Sequence, residues 1–171
     1  MEKLLSGEYA GATALSNAVK YLSDLEELNV RILEENGNYY LKGRLPWVTN
    51  ARKDRFLTIF VAGFADDPST SYVVAVPSDA ENFSRSEDLE FVSLQGGNTA
   101  ALTFNKVPLK EEWILSKNAH QFLAQNRPAF LGYQFGLAFG LAERSLSEVE
   151  KELGKRGVLK EEWQPQVEQL D

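Results

Sequence analysis

The chain has 171 residues, of which 43% are hydrophobic and 25% charged, a composition typical of a folded globular protein rather than a disordered one. Its net charge of −7 disfavours binding to the phosphates of nucleic acids. It has no cysteine and a single histidine, His120, which excludes disulfides, cysteine nucleophiles and multi-histidine metal sites. Any chemistry must therefore use carboxylates, hydroxyls, backbone groups or an organic cofactor.

The sequence predicts neither a membrane span nor export. The longest uncharged stretch, residues 128–142, has fifteen residues and three glycines, short of the ~20 apolar residues that cross a bilayer. The first twelve residues carry acidic side chains and no apolar segment of the kind found in secretory signals. We therefore expect a cytoplasmic chain with no membrane partner.

The first 45 residues predict short elements around one clear hairpin. We expect a short helix or turn over residues 1–6, a strand over 9–15, and an irregular loop to Asp24. Apolar and polar residues alternate over 29–34, which indicates a strand. The Asn36–Gly37 pair that follows favours a tight hairpin turn to a return strand over 39–44, because both residue types tolerate positive φ.

Four further segments predict strands in a mainly β domain. Residues 56–64 and 71–76 are rich in β-branched and aromatic residues, and a turn containing Asp66 and Asp67 separates them. Residues 89–94 and 99–104 complete the series. The spacing indicates an antiparallel β-barrel or sandwich over residues 1–115, because no helical pattern alternates with the strands.

From residue 116 the period changes to that of a helix. Apolar residues recur at helical spacing over 118–153, with Pro128 inside the pattern and Gly136 and Gly140 four residues apart. A helix so apolar over 128–142 needs partner helices, so we expect residues 116–171 to begin a helical bundle and to mediate homo-oligomer formation. A second short helix is predicted over 160–170.

Several segments, in order along the chain, resemble the acyl-CoA dehydrogenase family of flavoproteins. They are residues 4–8 and 11–16 (LLSGE, GATALS), 23–24 (SD), 40–50 (YLKGRLPWVTN), 99–109 with 113–115 (TAALTFNKVPL, WIL), and 126–128 with 136–140 (NRP, GLAFG). The resemblance covers residues 4 to about 153. It implies the family's middle β-barrel domain followed by the first helix of its C-terminal bundle, with FAD as cofactor and an acyl-CoA or other acyl thioester as substrate.

The resemblance also implies which residues contact the flavin. Trp47 would cover the isoalloxazine ring, and the Val48 backbone with the Thr49 hydroxyl would hydrogen-bond near its reactive nitrogen, where negative charge develops. Thr13, Leu15 and Ser16 would line the pyrimidine edge. The alternatives are a buried tryptophan at a strand corner for Trp47 and an ordinary strand end for residues 13–16.

Substrate and catalytic residues are implied less completely. Ser23 matches a loop serine that contacts the flavin phosphate or the CoA arm, but residues 17–22 lack the family's glycines, which allow close backbone approach. Lys20 would pair with a phosphate or remain solvated. Asn126 stands at one family position of the catalytic base and cannot accept a proton. Arg127 matches a helix arginine that shapes the site, and an interhelical ion pair is its alternative role.

The sequence thus leaves three functions open. The first is an FAD-dependent acyl-CoA dehydrogenase, of which this chain alone is inactive. The second is a flavin monooxygenase or acyl-carrier-protein dehydrogenase on the same scaffold. The third is a non-catalytic β-domain retained for assembly, favoured by the glycine-poor segment 17–22.

Overall fold

The computed structural model describes residues 2–67 and 69–156. Its contacts divide the chain after Ala124 into two compact units. The first unit holds the sheet and the first residues of the long C-terminal helix, and the second holds the rest of that helix. Each unit is described by itself.

The described residues form eight strands, three α-helices and two single 3₁₀ turns, 95–97 and 111–113. In chain order the helices and strands are α1 (Glu2–Leu5), β1 (Ala10–Thr13), α2 (Ser16–Tyr21), β2 (Val30–Glu35), β3 (Asn38–Val48), β4 (Phe56–Phe64), β5 (Ser71–Pro77), β6 (Phe83–Asp88), β7 (Ala100–Pro108), β8 (Ile114–Ser116) and α3 (Ala119–Arg156).

The strands form one sheet in the order β6-β7-β3-β2-β4-β5-β8. Most neighbours are antiparallel, as predicted, but β4 has two parallel partners on one edge. β1 pairs with Phe56–Ile59 and β2 pairs with residues 63–64, while β5 pairs along the other edge. This arrangement returns β1 to the middle of the sheet, where its C-terminal end meets that of β3 at an isolated bridge between Thr13 and Thr49.

The core lies on the buried face of β3, β4 and β7. Phe56, Phe60 and Phe104 are almost fully buried there, and the rings of Phe60 and Phe104 lie 4.8 Å apart. β3 approaches the start of β2 so closely that a Cβ on Gly43, whose φ is +148°, would lie 2.1 Å from the Asn29 carbonyl O. Only glycine fits at that position.

The predicted mainly β fold followed by a long helix is confirmed. The Asn36–Gly37 hairpin is present, with both residues at positive φ. Two local predictions are wrong. Residues 16–21 form α2 instead of an irregular loop, and the strand predicted over 89–94 lies earlier, at Phe83–Asp88. The helix predicted over 160–170 falls outside the described residues.

The helix of the second unit continues through Pro128 to Arg156. It carries large apolar side chains that are 60–81% exposed within this chain: Tyr133, Phe135, Leu137, Phe139 and Leu141. Among the described residues, no helix is both long enough and apolar enough to cross a membrane.

Candidate functional site

The last two residues of β3 and the turn that follows, residues 47–51, include or contact four of the nine site residues predicted from the sequence: Thr13, Trp47, Val48 and Thr49. Thr13, at the end of β1, donates its backbone N–H to the Thr49 carbonyl at 3.2 Å. This hydrogen bond joins residues 36 positions apart in sequence (49 − 13). The predicted residues Thr13 and Thr49 therefore share one edge of the sheet.

Asn50 fastens the same turn on two sides. Its backbone N–H donates to the Gly97 carbonyl at 2.8 Å, and its side-chain Nδ2 donates to the Gly11 carbonyl at 3.1 Å. Its φ is +60°, in the left-handed region that asparagine adopts more readily than most residues. The turn is thus held by β1 and by the loop that precedes β7.

Trp47, Val48 and Thr49 differ in how far their side chains are exposed to solvent. The Val48 side chain is fully buried in the core, whereas Trp47 is 60% exposed and Thr49 is also exposed. Trp47 meets only Phe91 among aromatic rings of the described residues, at 5.8 Å between centroids. The interpretation of Trp47 as a buried corner residue is wrong. Its indole lies at the surface, where a ligand can reach it.

Two cavities border Trp47. The first, of about 620 Å³, has mostly apolar walls and is lined by Trp47, Thr49, Phe91, Val92, Leu94 and Gly97. The second, of about 180 Å³, has polar and apolar walls in similar proportion and is called the polar cavity after its polar residues, Ser16, Asn17, Lys20, Glu26 and Asn29; Ala14, Leu45, Pro46 and Trp47 also line it. A larger opening of about 770 Å³ contains no predicted site residue.

Helix α2 forms part of the wall of the polar cavity. Its polar side chains form hydrogen bonds with the segment that follows the helix. The buried Asn17 donates Nδ2 to the Glu27 carbonyl at 2.9 Å and accepts the Asn29 N–H at Oδ1, also at 2.9 Å. Ala18 packs against Leu28 in the core cluster beneath it. These contacts explain why a six-residue segment forms a helix here although four of its residues, Ser16, Asn17, Val19 and Tyr21, have weak helix propensity.

Lys20 is engaged by an acidic neighbour. Its Nζ lies 2.5 Å from Glu26 Oε1, and this hydrogen bond is the largest cause that lowers the pKa of Glu26, followed by the hydrogen bond from Asn17. The predicted alternatives for Lys20 were a phosphate or solvent. The structure pairs it with a carboxylate, so this segment does not fit a phosphate cradle.

The remaining predicted residues lie outside the turn, and of these Ser16 lines the polar cavity together with Trp47. Leu15 is half-buried at the start of α2, and Ser16 is exposed at the mouth of the polar cavity. The Ser23 hydroxyl donates to the Val19 carbonyl at 3.2 Å. Asn126 and Arg127 belong to the helical unit. Among the described residues, no three side chains of His, Asp or Glu are grouped to hold a metal ion.

One side chain that positions this site, that of Arg85, was not predicted from the sequence. Arg85 on β6 donates Nε to the Ala51 carbonyl at 2.7 Å and so holds the outgoing end of the turn. Its signal in the sequence is weak: an arginine three residues before Asp88, a spacing that strands and turns also produce by chance.

Comparison with known proteins identifies the scaffold. No family model matches the chain. Isovaleryl-CoA dehydrogenase of Pongo abelii is 31% identical over 113 residues, which cover 63% of this chain and 26% of that protein. The Arabidopsis thaliana enzyme of the same name is 28% identical and covers 68% of this chain and 29% of its own length. A probable acyl-CoA dehydrogenase from Mycobacterium abscessus has the same fold, with a TM-score of 0.66, 21% identity, and coverage of 87% of this chain and 40% of that one.

Over about two thirds of its length the chain is similar in sequence to acyl-CoA dehydrogenases. Its sheet followed by a long helix corresponds in fold to the middle domain of its structural neighbours. The chain spans little more than a quarter of the length of the curated relatives it matches.

Proposed function

We propose that this chain supplies the ring-contacting wall of an FAD-dependent acyl-CoA dehydrogenase, which oxidises an acyl thioester between its α- and β-carbons. In this proposal Trp47, Val48 and Thr49 contact the flavin. The observation that carries it is the turn itself: Thr13 and Gly97 bind its backbone and Gly11 accepts the Asn50 side chain, while Trp47 and Thr49 remain exposed.

A turn fixed by its backbone suits this role because hydrogen-bond donors that are already in place need no reorganisation when charge develops on a ligand. Trp47 would cover the ring with its indole, and Thr49 would orient its hydroxyl toward the ring nitrogen. The buried Val48 side chain anchors this pair to the core and leaves only its backbone for contact. When bound, flavin supplies the acceptor for a hydride.

The polar cavity defines a second part of the proposed site. Ser16 lines this cavity together with Trp47, and Thr13 pairs with Thr49. Together with Leu15, these residues would line the pyrimidine edge of the ring. Because Lys20 is paired with Glu26, we assign no phosphate contact to α2. Ser23 and Arg127 remain candidates for the acyl-CoA site.

The whole protein's substrate and assembly are also proposals. A proton must leave the α-carbon of the thioester, and Asn126 cannot accept it because an amide is not a base at neutral pH. We therefore expect a carboxylate outside this chain to act as base, and this chain alone to be inactive. The exposed apolar side chains of α3 would pack against helices of the same protein or of a second copy.

The visible spectrum of protein mixed with FAD and then desalted tests the proposal. We expect the full-length gene product to retain flavin, Trp47→Ala to lose most of it, and the matched control Trp113→Ala to keep it. Bleaching of the retained flavin by an acyl-CoA would support the dehydrogenase reaction. Retained flavin that no acyl-CoA bleaches would favour a monooxygenase or an acyl-carrier-protein dehydrogenase on this scaffold.

A non-catalytic β-domain for assembly is the second candidate function. The self-contained α2, with Lys20 bound to Glu26, favours it because a phosphate would have to compete with that carboxylate. Full-length protein that retains no flavin would support this candidate and overturn the first.

A further inference from the structure

Two strands on either side of β7 bulge at the same level. In the pairing of β3 with β7, Leu45 faces Leu102 and Val48 faces Ala100, so Pro46 and Trp47 lie opposite Ala101 alone. A β-bulge increases local twist and redirects side chains. The bulge in β3 is therefore what turns Trp47 out toward solvent.

The second bulge is in β6 and mirrors the first. Arg85 faces Leu102 and Asp88 faces Ala100, so Ser86 and Glu87 also lie opposite Ala101. The Ser86 hydroxyl accepts the Ala101 N–H at 3.0 Å, which satisfies the donor that the bulge leaves without a ladder partner. The two irregularities are thus built around one residue of β7.

Arg85 connects this pair of bulges to the turn that follows β3. Its side chain is only 11% exposed, and its Nε donates to the Ala51 carbonyl at 2.7 Å. The guanidinium also donates to the Ser86 carbonyl and pairs with the Asp88 carboxylate. The planar guanidinium of Arg85 therefore donates hydrogen bonds to three acceptors: a carbonyl of the turn, a carbonyl of the β6 bulge and the carboxylate of Asp88 at the end of β6.

We propose that Arg85 is a positioning residue for the turn of residues 47–51, acting through the Ala51 carbonyl to hold Trp47 and Thr49 in their exposed orientation. That this orientation matters for flavin binding rests on the proposed function. That Arg85 maintains the orientation does not. Only arginine suits the position, because three acceptors in different directions require the planar, five-donor guanidinium, whereas the lysine ammonium is a compact group on a flexible chain. Arg85 contacts no proposed ligand group and is not a catalytic residue.

Fluorine NMR of protein labelled with 5-fluorotryptophan tests the positioning directly. The chain has three tryptophans, Trp47, Trp113 and Trp163, and the variant Trp47→Phe assigns the resonance of interest. We expect Arg85→Lys to shift or broaden the Trp47 resonance, to accelerate exchange of the Asn50 amide proton, and to leave the Trp113 resonance in place. The matched control Arg52→Lys changes an arginine whose side chain pairs with Asp54, and it should leave the Trp47 resonance unmoved.

Asp88→Asn provides a second variant in case Arg85→Lys does not fold. It weakens the hydrogen bond between residues 85 and 88 while keeping the guanidinium. It should move the Trp47 resonance in the same direction by a smaller amount. A folded Arg85→Lys or Asp88→Asn variant with unchanged Trp47 resonance and unchanged Asn50 exchange would overturn the proposal, even if its melting temperature fell.

Flavin binding by the full-length protein separates this inference from the proposed function. We expect Arg85→Lys to raise the dissociation constant for FAD about threefold to tenfold, the range for loss of one well-placed hydrogen bond. If wild type binds no flavin but the Trp47 resonance still moves, the proposed function fails and the positioning role of Arg85 stands.

Discussion

Asn50 and Gly11, 39 positions apart in sequence, are joined directly: the Asn50 side-chain Nδ2 donates to the Gly11 carbonyl at 3.1 Å. The bond crosses from the turn after β3 to the second residue of β1. Because Asn50 also has positive φ, one residue meets two requirements at once, a left-handed backbone and a long-range donor. Few side chains other than asparagine satisfy both.

Two substitutions at Asn50 separate these requirements. Asn50→Gly keeps the left-handed backbone accessible but removes the side-chain donor, and should lower the free energy of unfolding by about 0.5–1.5 kcal/mol. Asn50→Ala removes the donor and adds the cost of a left-handed alanine, roughly 1–2 kcal/mol more. Urea denaturation measures both. An alanine variant as stable as the glycine variant would show that the turn does not require the left-handed conformation in solution.

Asp54 gives the molecule an acid-sensitive contact near the same turn. A hydrogen bond from the Arg52 guanidinium, aided by the Arg55 N–H, lowers the pKa of Asp54 from 3.8 to about 2. A group whose pKa is lowered on folding contributes stability above its unfolded pKa and loses it as the pH falls through the folded value. Wild type should therefore exceed Asp54→Asn in stability at pH 6, and the difference should shrink between pH 4 and pH 2.

The partner variant Arg52→Gln provides the control for this pH dependence. It removes the guanidinium that lowers the pKa of Asp54. The free energy of unfolding of this variant should therefore fall less than that of wild type between pH 4 and pH 2. Urea midpoints of the wild type and both variants at a series of pH values measure the effect. A difference between wild type and Asp54→Asn that stays constant down to pH 2 would contradict the pairing.

Thr49 is expected to matter for chemistry and not for folding. Its side chain is exposed, so Thr49→Val should change the melting temperature little, whereas loss of the hydroxyl should slow flavin reduction by an acyl-CoA in the full-length protein about tenfold, the equivalent of one hydrogen bond. Stopped-flow absorbance follows this reduction. Thr103→Val, on β7 opposite Ser84 and Arg44, is the matched control and should leave the rate unchanged. Equal rates in the Thr49 variant and wild type would remove Thr49 from the proposed site.

The elements that the sequence predicts correctly are those whose conformation depends on neighbouring residues in the chain. The Asn36–Gly37 turn and the strand 56–64 follow from turn chemistry and from a run of β-branched and aromatic residues, both of which act locally. Helix α2 was missed because its stability comes from burial of Ala18 and from the Asn17 hydrogen bonds to residues 27 and 29. These contacts come from packing, which propensity does not record.

The missed position of β6 has a different cause. It lies at the edge of the sheet with β7 as its partner, and its sequence FSRSED has one apolar residue, whereas LEFVSL at 89–94 has four. That apolar pattern instead belongs to a loop whose Phe91 meets Trp47. The sequence identified the turn residues of the candidate site through a family resemblance, but it could not show Arg85, whose role depends on two bulges in separate strands.

The exposed apolar side chains of α3 lead to the last prediction. A helix that shows Leu137 and Phe139 to water, each more than 70% exposed within this chain, presents a surface that favours association. We expect the chain to form oligomers in light scattering at micromolar concentration, and Leu137→Glu with Phe139→Glu to lower the measured mass toward that of the monomer. Ser147→Glu adds a charge on the same helix away from this apolar stretch and should leave the mass unchanged. A wild-type chain that is monomeric across the concentration range would contradict the proposal that α3 carries the assembly surface.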